Sequence, residues 1–298
     1  MTCYIPKHSG FCFGVDLAVK AAYENLNNYT YMYGEVVHNP SVIIDLKNKG
    51  LGLIESLDEV SQKKVDNVLI RAHGVPENII IEARDKGLGV IDKTCPRVKK
   101  VHDIVANASN RGLDVIIVGT PKHPEVVGIE GWVHTQTIVL RDVDDAERII
   151  PKSTFPSVGV CLVAQTTHNK AKYEDVYAYC KSILPNIDIE FHDTICDATA
   201  VRQGEIRNLA TTVDSVIVIG GKTSSNVTKL YEIASEYNNK AYHVESSVEL
   251  DMSQLFDVST ILIASGASTP ENSIAEVIEH LRQFCNGKNE EFELIELT

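Results

Sequence analysis

The sequence predicts an α/β protein made of three pseudo-repeated units, each with a parallel sheet. Three observations predict it. A cysteine recurs just before an amphipathic helix, an apolar strand ending in glycine follows at a near-constant distance, and a second apolar strand ends in a polar turn. The glycines at 34, 119 and 220 lie 22, 24 and 24 residues beyond Cys12, Cys95 and Cys196. Strands alternating with helices build parallel sheets in layers. A repeat of this kind outweighs the expectation of about two domains that chain length alone would set.

Each element has its own signal. In the first unit the N-terminal CYIP reads as the strand leading into Cys12. FGVDLAVKAAYENL then places Val15, Ala18, Val19, Ala22 and Leu26 on one helical face. YMYGEVVHNP is a strand whose turn carries His38, ESLDEV is an acidic segment, and NVLIRAHGVPEN is a second strand whose turn carries His73. GLGVIDKTC leads into Cys95. In the second unit Pro96 suits a first helical position, and Val98, Val101, Val105 and Ala108 form the apolar face. DVIIVGTPKHPE carries His123 and Glu125, RDVDDA repeats the acidic segment, VGVCLVAQTTHN carries Thr166 and Thr167, and IDIEFHDTIC leads into Cys196. The third unit runs through the helix DATAVRQGEIRNLA and the strand SVIVIGGKTSSN with Ser224, Ser225 and Asn226. ESSVEL follows, then TILIASGASTPEN with Ser268 and Thr269, the helix NSIAEVIEHLRQF and the closing FELIEL. Pro76 and Pro270 are placed in the first turns of helices. The units are placed at 1–95, 96–195 and 196–298, with no linker between them.

Composition narrows the function. The chain is 44% hydrophobic and 23% charged, as soluble globular proteins are. A net charge of −13 argues against a general nucleic-acid binder. The start lacks a signal-peptide h-region, and no apolar run approaches a membrane span. The expected location is the cytoplasm, where seven cysteines do not make a disulfide framework.

A cysteine at a strand end and helix start is biased toward thiolate, the metal-binding form. Three thiolates without ligand histidines suit iron–sulfur chemistry, so Cys12, Cys95 and Cys196 are candidate ligands. Cys3, Cys161, Cys180 and Cys285 lack the pattern and read as structural. The polar turns lie where α/β sheets bind ligands. Their His38, His73, His123, Thr166, Thr167, Ser224, Ser225, Asn226, Ser268 and Thr269 form a donor set suited to a phosphate-like anion, with helix N-termini adding N–H groups. Each taken singly also reads as a cap or a surface residue. Lys222 reads as a solvated lysine or an aid to the anion. His8, His102, His168, His192 and His243 receive no site role. Glu125 has two readings: a proton relay if burial raises its pKa, or a glutamate compensating a helix start.

Taken together, GFCFGV, GEVVHNP, RAHGVP, DKTCP, HPEVVG, AQTT, DTICDAT with RQ, GGKTSSN and GASTPE make the chain resemble the 4-hydroxy-3-methylbut-2-enyl diphosphate reductase family from residue 9 to 272. The resemblance implies a trefoil of three α/β units around a central [4Fe–4S] cluster held by Cys12, Cys95 and Cys196. It implies that His38, His73, His123, Ser224, Ser225, Asn226 and Ser268 bind the diphosphate, that Thr166 sits near the substrate hydroxyl and that Glu125 supplies protons. The implied partners are a small allylic diphosphate and an external one-electron donor of the ferredoxin or flavodoxin type. Two positions depart from the family pattern: Leu17 stands where a basic residue is usual, and ASGAS replaces a threonine–alanine pair before glycine. Quinolinate synthase, another three-cysteine trefoil enzyme, is the rival reading. A non-catalytic binder of a phosphorylated metabolite is a second, needing the turns but not the thiols.

Overall fold

A computed structural model describes residues 1–27, 29–152, 155 and 158–298. In chain order the first elements are β1 (Thr2–Ile5), α1 (Phe13–Glu24), β2 (Thr30–Tyr33), α2 (Pro40–Asn48), β3 (Gly52–Ile54), β4 (Asn67–Ile70), α3 (Glu77–Asp85) and β5 (Gly89–Asp92). Next come α4 (Pro96–Asn110), β6 (Asp114–Val118), α5 (Pro124–Glu130), β7 (Thr137–Leu140), α6 (Val143–Ile149), β8 (Val160–Ala164), α7 (Lys170–Ile183) and β9 (Ile189–Phe191). The last are α8 (Asp197–Leu209), β10 (Ser215–Ile219), α9 (Ser225–Tyr237), β11 (Ala241–Val244), β12 (Thr260–Ser265), α10 (Glu271–Gly287) and β13 (Glu293–Glu296).

The strands form three sheets, ordered β3-β2-β4-β5, β7-β6-β8-β9 and β11-β10-β12-β1-β13. Every pairing is parallel. The three pseudo-repeated α/β units that the sequence predicts are therefore present, one per sheet. The strand leading into each cysteine holds the same place in its sheet: β5 before Cys95 beside β4, β9 before Cys196 beside β8, and β1 before Cys12 beside β12. β1 thus completes the sheet of the C-terminal residues, and β13 extends that sheet as a fifth strand.

By its internal packing the chain divides into two compact units. One comprises Met1–Phe13, His38–Val42 and Asp197–Thr298, the other Gly14–Val37 and Ile43–Cys196. In the first, alternation along β10 and β12 supplies two cores: Ile217, Ile219, Ile261 and Ile263 on one face, and Val216, Val218, Leu262 and Ala264 on the other. Burial on both faces explains why these strands read as continuous apolar runs. In the second unit, Val101, Val105 and Ala108 of α4 pack on Val115, Ile117, Cys161 and Val163. Val68 and Ile70 pack there with Ile54, Leu57, Val75 and Ala83.

The acidic segments prove to be starts of short helical turns. Ser56 caps the 3-10 turn Leu57–Gln62 in a capping box with Glu59, and Asp142 caps α6 by accepting from the Asp145 N–H. Carboxylates there offset the helix dipole. Pro76 and Pro270 stand one residue outside their helices, at the N-cap, because their ψ values of 147° and 153° are extended. The strands β3, β7 and β11 are three or four residues long and lie at sheet edges. They are too short for a periodic signal.

Candidate functional site

In the second compact unit the acid–base groups meet at the ends of β6 and β8. His123 is the N-cap of α5 and Pro124 its first residue. The Glu125 N–H donates to His123 Nδ1 at 3.1 Å. A ring nitrogen that accepts has no proton, so neutral His123 carries its proton on Nε2 and can donate from there. Glu125 is 2% exposed. The Thr166 N–H donates to Glu125 Oε1 at 2.6 Å. Burial pushes the carboxyl up to about 7, against the lowering effect of the Thr166 hydrogen bonds. Glu125 is thus both a first-turn helix residue and a carboxyl that can hold a proton at neutral pH. His73 meets His123 edge to face, with ring centroids 5.5 Å apart.

Two of the candidate ligands belong to the same unit. Cys95 is the N-cap of α4, and its N–H donates to the Ala72 carbonyl, next to His73, at 3.0 Å. The Cys196 N–H donates to the Thr166 carbonyl at 2.9 Å. Backbone hydrogen bonds therefore place Cys95 beside His73 and Cys196 beside Thr166. Gly14 lies against Cys95: a Cβ there would stand 2.5 Å from the Cys95 sulfur. Only glycine leaves that space open.

The first compact unit holds the other candidates. Cys12 donates its N–H to the Ala267 carbonyl at 3.1 Å, one residue from Ser268. Ser224 is the N-cap of α9 and Ser225 its first residue. The Ser268 hydroxyl donates to Ser224 Oγ at 3.3 Å. Asn226 is 4% exposed, and neither polar atom of its side chain has a hydrogen-bond partner among the described residues. A buried amide left so is costly; an anion would accept from its Nδ2 and a water would donate to its Oδ1. His38 enters the same unit through its carbonyl, which a Cβ on Gly221 would meet at 2.6 Å. Lys222 pairs with Glu249 at 2.8 Å and takes the solvated reading. Thr269 donates to the Ile219 carbonyl at 2.9 Å and braces a strand end.

The donor chemistry fits a thiolate-bound metal group. Cys12, Cys95 and Cys196 are half-buried, whereas Cys3, Cys161, Cys180 and Cys285 are buried. Burial raises Cys3 and Cys161 to about 12 and Cys180 to about 11, and it also raises Cys285. Burial favours the thiol form in those four, in line with a structural role.

Three supporting residues receive no site role from the sequence, although Gln165 lies in AQTT and Arg202 in the RQ that follows DTICDAT. Gln165 accepts from the Thr120 N–H at 3.0 Å and donates to Thr167 Oγ1 at 2.9 Å, joining the ends of β6 and β8. His102 stacks on Trp132 with centroids 5.2 Å apart, is lowered to about 4 by burial, and fills the space left at Gly74, where φ is +72°. It packs beneath the His73 turn and takes no site role. Arg202 is 5% exposed and donates to the carbonyls of Gly10 and Ser265. Such contacts depend on which loops meet, which spacing does not encode.

Parallel α/β sheets, half-buried thiols at helix starts and a buried carboxyl that can hold a proton are the features of a metal-dependent enzyme acting on a small molecule. The family described as "LytB protein" matches residues 3–282. Curated relatives named 4-hydroxy-3-methylbut-2-enyl diphosphate reductase include that of Clostridioides difficile, 39% identical over 94% of this chain and 99% of that one. That of Clostridium perfringens is 41% identical over 94% and 98%. A solved structure, the E-1-hydroxy-2-methyl-but-2-enyl-4-diphosphate reductase of Plasmodium falciparum, matches with a TM-score of 0.88 and 29% identity over 100% of this chain and 92% of that one. Another, of an (E)-4-hydroxy-3-methyl-but-2-enyl diphosphate reductase, matches with a TM-score of 0.66 and 36% identity over 95% and 99%. The chain belongs to the LytB protein family, and membership implies a metal cofactor. Among the described residues no helix is long and apolar enough to cross a membrane.

Proposed function

We propose that this chain catalyses the reductive dehydration of 4-hydroxy-3-methylbut-2-enyl diphosphate to isopentenyl and dimethylallyl diphosphate, the last step of the methylerythritol phosphate route to isoprenoids. The observation that carries the reading is Glu125, a carboxyl held near neutrality by burial and fixed by the Thr166 N–H, in a chain of this family. The full-length match to reductases leaves the quinolinate synthase reading without support. It also favours an enzyme over a non-catalytic binder.

Cys12, Cys95 and Cys196 would hold the cofactor. A [4Fe–4S] cluster on these three thiolates would supply electrons one at a time and Lewis acidity. The overall change consumes two electrons, from an external one-electron donor of the ferredoxin or flavodoxin type, and two protons, and it releases water. The residues of the chain do the rest. His38, His73, His123, Ser224, Ser225, Asn226 and Ser268 donate to the diphosphate oxygens. Asn226 is already desolvated, so the anion gains a donor that water does not have to release. Thr166 stands beside the C4 hydroxyl and holds the Glu125 carboxyl toward it. Glu125 passes its proton to that hydroxyl, so that water leaves instead of hydroxide. His123, protonated on Nε2, is a second donor on the same turn. The setting is the cytoplasm, whose reducing conditions preserve thiolates.

The test is anaerobic turnover of the reconstituted protein with this substrate and a low-potential reductant. Both five-carbon diphosphates are the expected products. A protein with full iron–sulfur absorbance and no product would overturn the reading.

A further inference from the structure

Cys12 and Ser268 lie more than 250 positions apart in sequence, yet their loops are joined at three points within the first compact unit. The Gly10 N–H donates to Ser265 Oγ at 2.8 Å. The Cys12 N–H donates to the Ala267 carbonyl at 3.1 Å. Arg202, on α8, spans the seam from beneath: Nη1 donates to the Ser265 carbonyl at 3.0 Å and Nη2 to the Gly10 carbonyl at 2.8 Å. The same helix holds the approach to Cys12 once more, where His8 Nδ1 meets Glu205 Oε1 at 2.7 Å. Across the seam, Ser268 donates to Ser224, beside the unsatisfied Asn226. One buried guanidinium therefore fixes the loop that presents a thiol and the loop that presents an anion donor.

We propose that Arg202 is a positioning residue that locks the Cys12 loop to the Ser268 loop, so that retention of the cluster and binding of the diphosphate are linked. The inference rests on the function proposed above. A planar guanidinium reaches two carbonyls at once in a fixed fork. A lysine ammonium is a single flexible point and does not hold both in register. When an anion orders the Ser224–Asn226–Ser268 donors, the seam passes that order to Cys12. By reciprocity, a seated Cys12 prepares the anion donors. A residue that merely supported the fold would lower stability without making one ligand sense the other.

The experiment follows loss of iron–sulfur absorbance from the anaerobic holoprotein under an iron chelator, with and without saturating inorganic pyrophosphate. In the unaltered protein pyrophosphate slows bleaching by about 5–150-fold, the usual range of coupling between sites. In Arg202→Lys the protection falls toward none, while calorimetry still detects pyrophosphate binding. Should Arg202→Lys fail to fold, Ser265→Ala, which removes only the Gly10 acceptor, carries the same expectation in weaker form. Protection of unaltered size in the variant that folds overturns the proposal. Pyrophosphate that binds the unaltered protein without slowing bleaching overturns the linkage alone. Pyrophosphate that does not bind at all removes the diphosphate reading and the linkage with it.

Discussion

Replacing Glu125 by glutamine separates proton delivery from every structural role the residue has. The amide is nearly isosteric, keeps an oxygen to accept the Thr166 N–H, and preserves the first turn of α5. What it removes is the proton. A carboxyl of ordinary pKa would be less than about 1% protonated at pH 7, whereas one held near 7 is about half protonated. Burial therefore raises the population of the acid by roughly two orders of magnitude. General acid catalysis contributes ~10²–10⁴-fold, and turnover of Glu125→Gln should fall by about that factor while the iron–sulfur absorbance and pyrophosphate affinity stay unchanged. Stability gives an independent check. The fold favours the neutral acid, so the stability tied to Glu125 is fully present below about pH 4.5 and is lost as the pH rises through about 7. For so buried a group the loss is roughly 3 kcal/mol. Glutamine cannot ionise and escapes it. Melting temperatures measured from pH 5 to 8 should therefore shift in favour of the variant as pH rises. Near-normal turnover together with a modest, pH-independent loss of stability would refute the reasoning and leave Glu125 a helix-start residue only.

Serine at Cys12, Cys95 or Cys196 should each abolish iron–sulfur absorbance, whereas serine at Cys161 or Cys180 should cost stability and leave the absorbance; a full cluster in Cys95→Ser would remove it as a ligand. Gly14→Ala should reduce iron bound per chain, because its Cβ would stand 2.5 Å from the Cys95 sulfur; iron analysis at the unaltered value would show that the thiol has other room. Asn226→Ala should weaken pyrophosphate binding by roughly 1–3 kcal/mol, the cost of leaving a buried oxygen without its donor; calorimetry showing unchanged affinity would take Asn226 out of the anion site.

Much of this protein was readable from its sequence because the information was local or periodic. Apolar runs such as SVIVIG and VGVCLVA mark strands buried on both faces, and the recurring cysteine–helix–strand–glycine order predicts three similar parallel sheets without any knowledge of contacts. The separation of Cys12, Cys95 and Cys196 from the other four cysteines also follows from position, and the half-buried against buried division agrees with it. Tertiary structure decided what depends on residues far apart in the chain. β1 pairs with β12 and β13, so the strand before Cys12 completes a sheet made by the other end of the molecule. Glu125 can hold a proton near neutral pH because the surrounding core takes it out of water, against the pull of Thr166, 41 positions away, whose hydrogen bonds favour the anion; the same glutamate on an open turn would be an ordinary carboxylate. Asn226 is a candidate anion donor because folding leaves its buried amide without partners among the described residues, and Arg202 joins two distant loops because both place a carbonyl within its reach. Spacing along a chain records which groups are available. Burial and long-range hydrogen bonds set their protonation and their readiness to bind, and those exist only once the chain has folded.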